Sequence, residues 1–176
     1  MPAVIVRCTM LACAAMATAF VPGAASAGDM ANFRHTQESP VRNCQGALPQ
    51  FAGTLRARPL ALANEGDATA FVTCGWHGVA SGSARNFQYV FAAIGNAGTT
   101  TAQVNCTFVH GFGGGPNTLY LSYSLTIEPG GWDEVQVSSN LMPGNVLRYA
   151  QMSCSLPPGT LVGYLVNGYE ETVGSR

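Results

Sequence analysis

The sequence predicts an all-β protein, a single antiparallel β-sandwich of seven to nine strands stapled by two disulfides, with a closed β-barrel as the alternative. Three observations predict it. Short runs alternate apolar and polar side chains with period two, as strands with one wet face do. The 21 Gly and 10 Pro residues supply turn chemistry between these runs, at intervals of about 8 to 15 residues. No segment after the first 27 residues repeats apolar positions at i, i+3, i+4 and i+7 over three turns, so little helix is expected.

The elements follow in order. Residues 1–27 read as a secretory signal peptide: Arg7 gives the positive start, Cys8 to Val21 is an uncharged and mostly apolar run, and Pro22-Gly23 precede Ala25-Ser26-Ala27. Small side chains at −3 and −1 suit a signal peptidase, and cleavage is expected before Gly28. That run is too short for a bilayer core of about 30 Å, and no later stretch reaches the ~18 apolar residues of a spanning helix, so no membrane span is expected. Residues 28–43 lack periodicity and are expected as a flexible N-terminal arm, with the β-sandwich domain over 44–176.

Within the domain, Phe71 to Cys74 follows the turn signal Asn64-Glu65-Gly66-Asp67, and Phe87 to Ile94 ends at Gly95-Asn96-Ala97-Gly98. Ala102, Val104, Cys106 and Phe108 alternate with Gln103, Asn105 and Thr107. Leu119 to Ile127 alternates in the same way. Val135 and Val137 mark a short strand after Pro129-Gly130-Gly131, and Asn145 to Cys154 and Thr160 to Glu171 complete the set. The chain shows no true internal repeat. Three strand-like runs nevertheless end at a cysteine: Val72-Thr73-Cys74, Val104-Asn105-Cys106 and Met152-Ser153-Cys154.

Removing the leader takes Cys8 and Cys13 with it and leaves Cys44, Cys74, Cys106 and Cys154. An even number in an exported chain implies oxidised pairs, and four cysteines allow three connectivities. The preferred one joins Cys44 to Cys74 and Cys106 to Cys154. Metal ligation is disfavoured, because no C-x-x-C pair occurs and the cysteines are widely spaced.

Only 10% of residues are charged and the formal net charge is −1, against a usual charged share of about 25%. The eight basic residues are all Arg and are scattered, which leaves no basic face for nucleic acid. Disorder needs low hydrophobicity and high net charge, and both conditions fail here. The wet surface must consist of Ser, Thr, Asn, Gln and Gly, suited to a neutral glycan or protein as partner.

Arg58-Pro59-Leu60-Ala61, Asn64-Glu65-Gly66 and Ala70-Phe71-Val72-Thr73-Cys74, with Ser153-Cys154-Ser155-Leu156-Pro157-Pro158-Gly159-Thr160, Gly163-Tyr164 and Glu170, resemble a group of small exported bacterial proteins of unknown function. In that group a signal peptide precedes a cysteine-bridged β-domain. The resemblance implies a periplasmic or extracellular bacterial setting and carries no catalytic residue.

No constellation compels an enzyme. His35, His77 and His110 have no Gly-x-Ser-x-Gly elbow or comparable signature to serve. The adjacent acids Asp133-Glu134 and Glu170-Glu171 point to opposite faces if they lie on strands, whereas glycoside hydrolysis needs two carboxylates facing one cleft. No metal-binding spacing and no cofactor motif is found, so no cofactor is expected. Candidate binding residues are Phe112, in the glycine-rich loop Gly111 to Asn117, and the tryptophans Trp76 and Trp132 beside turns, since aromatic side chains on loops anchor sugars and proteins. Trp76, two residues after Cys74, also fits a role covering the disulfide. The expected function is that of an exported, non-catalytic protein acting by binding or as an envelope component. The alternative is a secreted inhibitor of a protease or lysozyme-like hydrolase presenting Phe112; a small hydrolase is less favoured.

Overall fold

In the computed structural model, period-two alternation becomes eleven strands in two antiparallel sheets, described for residues 30–77, 86–111 and 118–173. Residues 1–27, expected as a signal peptide, and Phe112 lie outside the described residues. The strands are β1 (Met30–Glu38), β2 (Cys44–Gly46), β3 (Leu55–Arg58), β4 (Ala61–Asn64), β5 (Ala70–Gly75) and β6 (Phe87–Asn96), then β7 (Ala102–His110), β8 (Leu119–Ile127), β9 (Trp132–Ser138), β10 (Gln151–Leu156) and β11 (Thr160–Val173). One sheet runs β3-β4-β11-β6-β9, with β1 pairing β11 further along the edge that β4 occupies; the other runs β2-β5-β10-β7-β8. Among the described residues no strand hydrogen-bonds from one sheet to the other, so the two sheets form a sandwich and not a closed barrel.

The strand count exceeds the seven to nine expected because β2, β3 and β4 hold only three or four residues, too few to register as alternation. The expected N-terminal arm differs more. Residues 30–38 pair one by one with Val173 back to Leu165 on β11, because that 14-residue strand outruns β4, which pairs only with Leu161 and Val162. The short helix α1 (Pro40–Asn43) then carries the chain across to β2. The strand expected from Asn145 begins only at Gln151, after 3₁₀ turns at Ser139–Leu141 and Pro143–Asn145.

The core is the layer between the sheets. Val72, Val104, Phe108, Met152 and Leu156 face Val90, Ile94, Val135, Val137, Val162 and Leu165, all essentially inaccessible. Both disulfides lie on this inner face of the five-stranded sheet, and both have the preferred connectivity, Cys44–Cys74 and Cys106–Cys154. Each joins residues directly opposite in the ladder, with Cα atoms 4.0 Å apart, the close spacing of a narrow antiparallel pair.

The sheets are joined at one end by four arches that repeat in pairs. Ala61 to Cys74 and Ala93 to Cys106 align residue for residue, sharing Ala, Asn, Gly, Thr, Ala, Val and Cys at matching positions. This corrects the reading of the chain as free of repeats. In the first copy, buried Asn64 donates from Nδ2 to the carbonyls of Ala68 and Leu156 (2.8 and 2.7 Å), and its Oδ1 accepts from the Gly66 amide. In the second, buried Asn96 donates to Thr100 and Ile127 (both 2.8 Å) and accepts from Gly98. Each asparagine thereby stitches its own arch, β4 to β5 or β6 to β7, to the returning arch, β10 to β11 or β8 to β9. The returning turns match too, since the Gly159 and Gly130 amides donate to the backbone carbonyls of Asn64 and Asn96. Both glycines have φ near +75° (78° and 74°), a left-handed conformation that glycine adopts without strain.

On the open flank, Tyr123 of β8 reaches across to β9, its hydroxyl donating to the Gln136 carbonyl at 3.0 Å. Burial raises its pKa above the ordinary value of about 10.

Replacing Asn96 with Ala leaves two carbonyls and an amide without partners, so the urea-unfolding free energy is expected to fall by about 3 kcal/mol; Asn64→Ala is expected to behave alike. Tyr123 makes a second prediction. The folded phenol holds its proton to higher pH than the unfolded one, so its contribution is complete below pH ~10 and is lost as pH rises through the shifted value. Urea midpoints measured from pH 8 to 11 should fall less steeply above pH ~10 in Tyr123→Phe than in the parent.

Candidate functional site

The outer face of the six-stranded sheet breaks the usual rule of apolar inside and polar outside. On β6 the inward residues are Val90, Ala92 and Ile94, and the alternate outward positions are Tyr89, Phe91, Ala93 and Gly95. Register places Val166 beside Phe91, Gly168 beside Tyr89, Tyr164 beside Ala93 and Trp132 beside Gly95. β1 adds Phe33 at the end of the row.

These side chains touch in sequence. Phe33 stacks on Tyr89 with centroids 6.1 Å apart, Tyr89 on Phe91 at 6.4 Å, and Phe91 meets Tyr164 edge to face at 5.8 Å. Trp132 completes the row beyond Tyr164. Its indole lies over Gly95 and Gly163, where an added Cβ would collide with the ring. Gly168 performs the same service under Tyr89 and Phe33. Absence of a Cβ lets each ring lie against bare backbone, which fixes its orientation and leaves its other face outward. Phe33 remains 53% exposed and Trp132 57%, a contiguous apolar surface of the kind that marks a binding site on a soluble domain.

A β-bulge shapes one end of the row. Register slips between Val162 and Tyr164, so Gly163 is the extra residue. On the other edge of β11, β4 pairs only as far as Val162 and β1 starts at Leu165. Gly163 and Tyr164 therefore have no strand neighbour there, and a cleft of about 320 Å³ opens beside Tyr164, bounded by Gln37 to Pro40 and by Pro59 and Leu60 at the tip of the β3–β4 hairpin.

A second, polar cleft of about 430 Å³ lies at the end of β1. The nearly buried Glu38 carboxylate accepts from the side-chain amides of Asn43 and, at 2.6 Å, Asn167, with His77 Nδ1 3.7 Å away. Among the described residues no group of three or more His, Cys, Asp or Glu converges as a metal site.

Trp132 stands in the aromatic row. Trp76 does not present a binding surface: it is 6% exposed, donates from Nε1 to the Phe91 carbonyl at 3.2 Å and packs on Phe108. Trp76 continues the inward alternation of Ala70, Val72 and Cys74, with its amide donating to the Ala150 carbonyl, so the ring points into the core. His77 and His110 lie at the end of the sandwich away from the arches, and His110 Nδ1 is bound to the Arg148 backbone. Asp133 and Glu134 sit towards the arch end, opposite Ile94 and Ala93. The four do not meet in one cleft. Sequence reading missed Phe33, Tyr89, Phe91 and the three glycines. The legible signal was the outward aromatic pair at i and i+2 in Tyr89-Val90-Phe91.

No protein-family model and no curated protein matches the chain. Solved structures to which the chain is similar include carbohydrate-binding modules. TmCBM61 in complex with β-1,4-galactotriose is 9% identical, with 80% of this chain and 88% of that one covered at a TM-score of 0.38. The CBM22-2 xylan-binding domain of Paenibacillus barcinonensis Xyn10C is 13% identical, with 78% and 99% covered at 0.39. The family 11 module of Clostridium thermocellum in complex with a mixed-linked β-1,3-1,4 tetrasaccharide is 8% identical, with 88% and 92% covered at 0.31.

Proposed function

We propose that the outer face of the six-stranded sheet is a carbohydrate-binding platform and that the protein acts by binding rather than by catalysis. The carrying observation is the row Phe33, Tyr89, Phe91, Tyr164 and Trp132, seated on Gly95, Gly163 and Gly168. The apolar face of a pyranose ring lies well on an aromatic plane, and a row of such planes fits a chain of sugars better than a single one. The row follows β6 from the level of Gly95 to that of Tyr89, a rise of about 20 Å at ~3.3 Å per residue. An extended, neutral glycan several rings long fits that length, and the low charge of the chain agrees with a neutral ligand. Two disulfides belong to an oxidising compartment outside the cytoplasm, to which the leader read over residues 1–27 would deliver the protein.

Affinity electrophoresis against neutral β-linked polysaccharides tests this reading. The parent should be retarded by at least one of them. Trp132→Ala and Phe91→Ala should each weaken the interaction about tenfold, equivalent to about 1.4 kcal/mol. Free migration in every polysaccharide, or undiminished retardation of the double variant, would overturn it.

A further inference from the structure

Resting on the glycan reading of the row, we infer that the cleft beside Tyr164 receives an acetamido group, so that the ligand is a 2-acetamido glycan. Tyr164 belongs to both features: it stands in the aromatic row between Phe91 and Trp132 and forms a wall of the cleft. A sugar ring resting on Tyr164 thus projects a ring substituent over the open edge of β11. What lies there is chemically mixed. Leu60, 83% exposed at the hairpin tip, and Pro59 give an apolar wall suited to a methyl group. Gln37 and Ser39 supply neutral donors and acceptors. On this edge ladder pairing with β4 stops at Val162 and pairing with β1 resumes at Leu165, and an amide is the group whose N–H and C=O best fill a gap between two strands.

The charge pattern excludes the main competitors. No Lys, Arg or His lines this cleft, so a uronate or sulfate would be buried without a counter-charge. Glu38, its one charged lining residue, already has its oxygens engaged by Asn43 and Asn167, which leaves the carboxylate spoken for and disfavours an added anion further. A bare hydroxyl would leave the wall of Leu60 and Pro59 wet. The acetamido group, with one methyl and one amide, uses both halves of the lining.

Isothermal titration of the full chain with chitotetraose and with cellotetraose tests the inference, because the two differ only in bearing acetamido or hydroxyl at carbon 2. Chitotetraose is expected to bind at least tenfold more tightly. Leu60→Ala, at a solvent-exposed tip where folding is not at stake, is expected to reduce that preference about fivefold or more, and Trp132→Ala to weaken both ligands. Equal binding of the two sugars, both sensitive to Trp132→Ala, would overturn the acetamido inference and leave the platform standing. Binding of neither would overturn the acetamido inference, and the platform with it only if the protein also migrates freely in every polysaccharide. A preference undiminished in Leu60→Ala and in Gln37→Ala would overturn the placement of the group in this cleft.

Discussion

Two buried asparagine side chains hold the sandwich in register. The sheets share no ladder hydrogen bonds, and hydrophobic burial between them is non-directional, so it presses the layers together without fixing their rotation. Asn64 and Asn96 supply the direction. Each makes three hydrogen bonds, two that close its own arch and one to the carbonyl at the start of the arch returning from the opposite sheet. Only a primary amide offers two donors and an acceptor at that reach: Asp would lose both donors, and Ala would strand buried backbone groups that cost about 1 to 3 kcal/mol each. Because β11 and β6 both leave these arches, the locks also set the alignment of the two strands that carry most of the aromatic row.

Covalent and aromatic reinforcement are divided between the sheets. The five-stranded sheet has both disulfides, joining β2 to β5 and β7 to β10. They close sequence separations of 30 and 48 residues, each stabilising by about 4 kcal/mol in the chain-entropy view. The six-stranded sheet has no bridge and is instead covered on both faces. Ala93, Gly95, Val166 and Gly168 are buried although they point away from the core, because rings lie over them. A ring held against glycine backbone has already lost its rotamer freedom in folding, so a ligand that stacks on it does not bear that ordering cost again.

Much of the scaffold was legible in the sequence, for reasons particular residues show. Alternation in Ala102 to Phe108 and Leu119 to Ile127 reports burial directly, and these strands form where the pattern puts them. The preferred cysteine pairing is the one formed. Other features were hidden because they depend on partners distant in sequence. Met30 to Glu38 becomes a strand only because β11 has spare edge, which its own composition does not encode. Trp76 and Trp132 look alike beside their turns, yet one drops between the sheets and the other lies on glycines from two different strands. The repeat is faint in the sequence because its copies differ at most outward strand positions, such as Phe71 against Gln103, and agree at the Asn, Gly and Cys positions that hold the arches and the disulfides.

The polar outer face of the five-stranded sheet offers a ligand less than the aromatic face does. There the side chains satisfy one another: Gln103 donates to Ser124, Ser124 to Asn105 and Thr126 back to Gln103, at 2.6 to 2.8 Å. A ligand docking on that ladder would exchange existing hydrogen bonds for new ones, a nearly even trade in water. The opposite face has apolar area still to bury, and removing it from water is worth about 25 cal/mol per Å². Partly covering several rings therefore supplies a few kcal/mol before any polar contact forms. With so few charges on the molecule, no long-range field competes with that gain. The unsatisfied surface of this protein is aromatic, and affinity has its largest available source there.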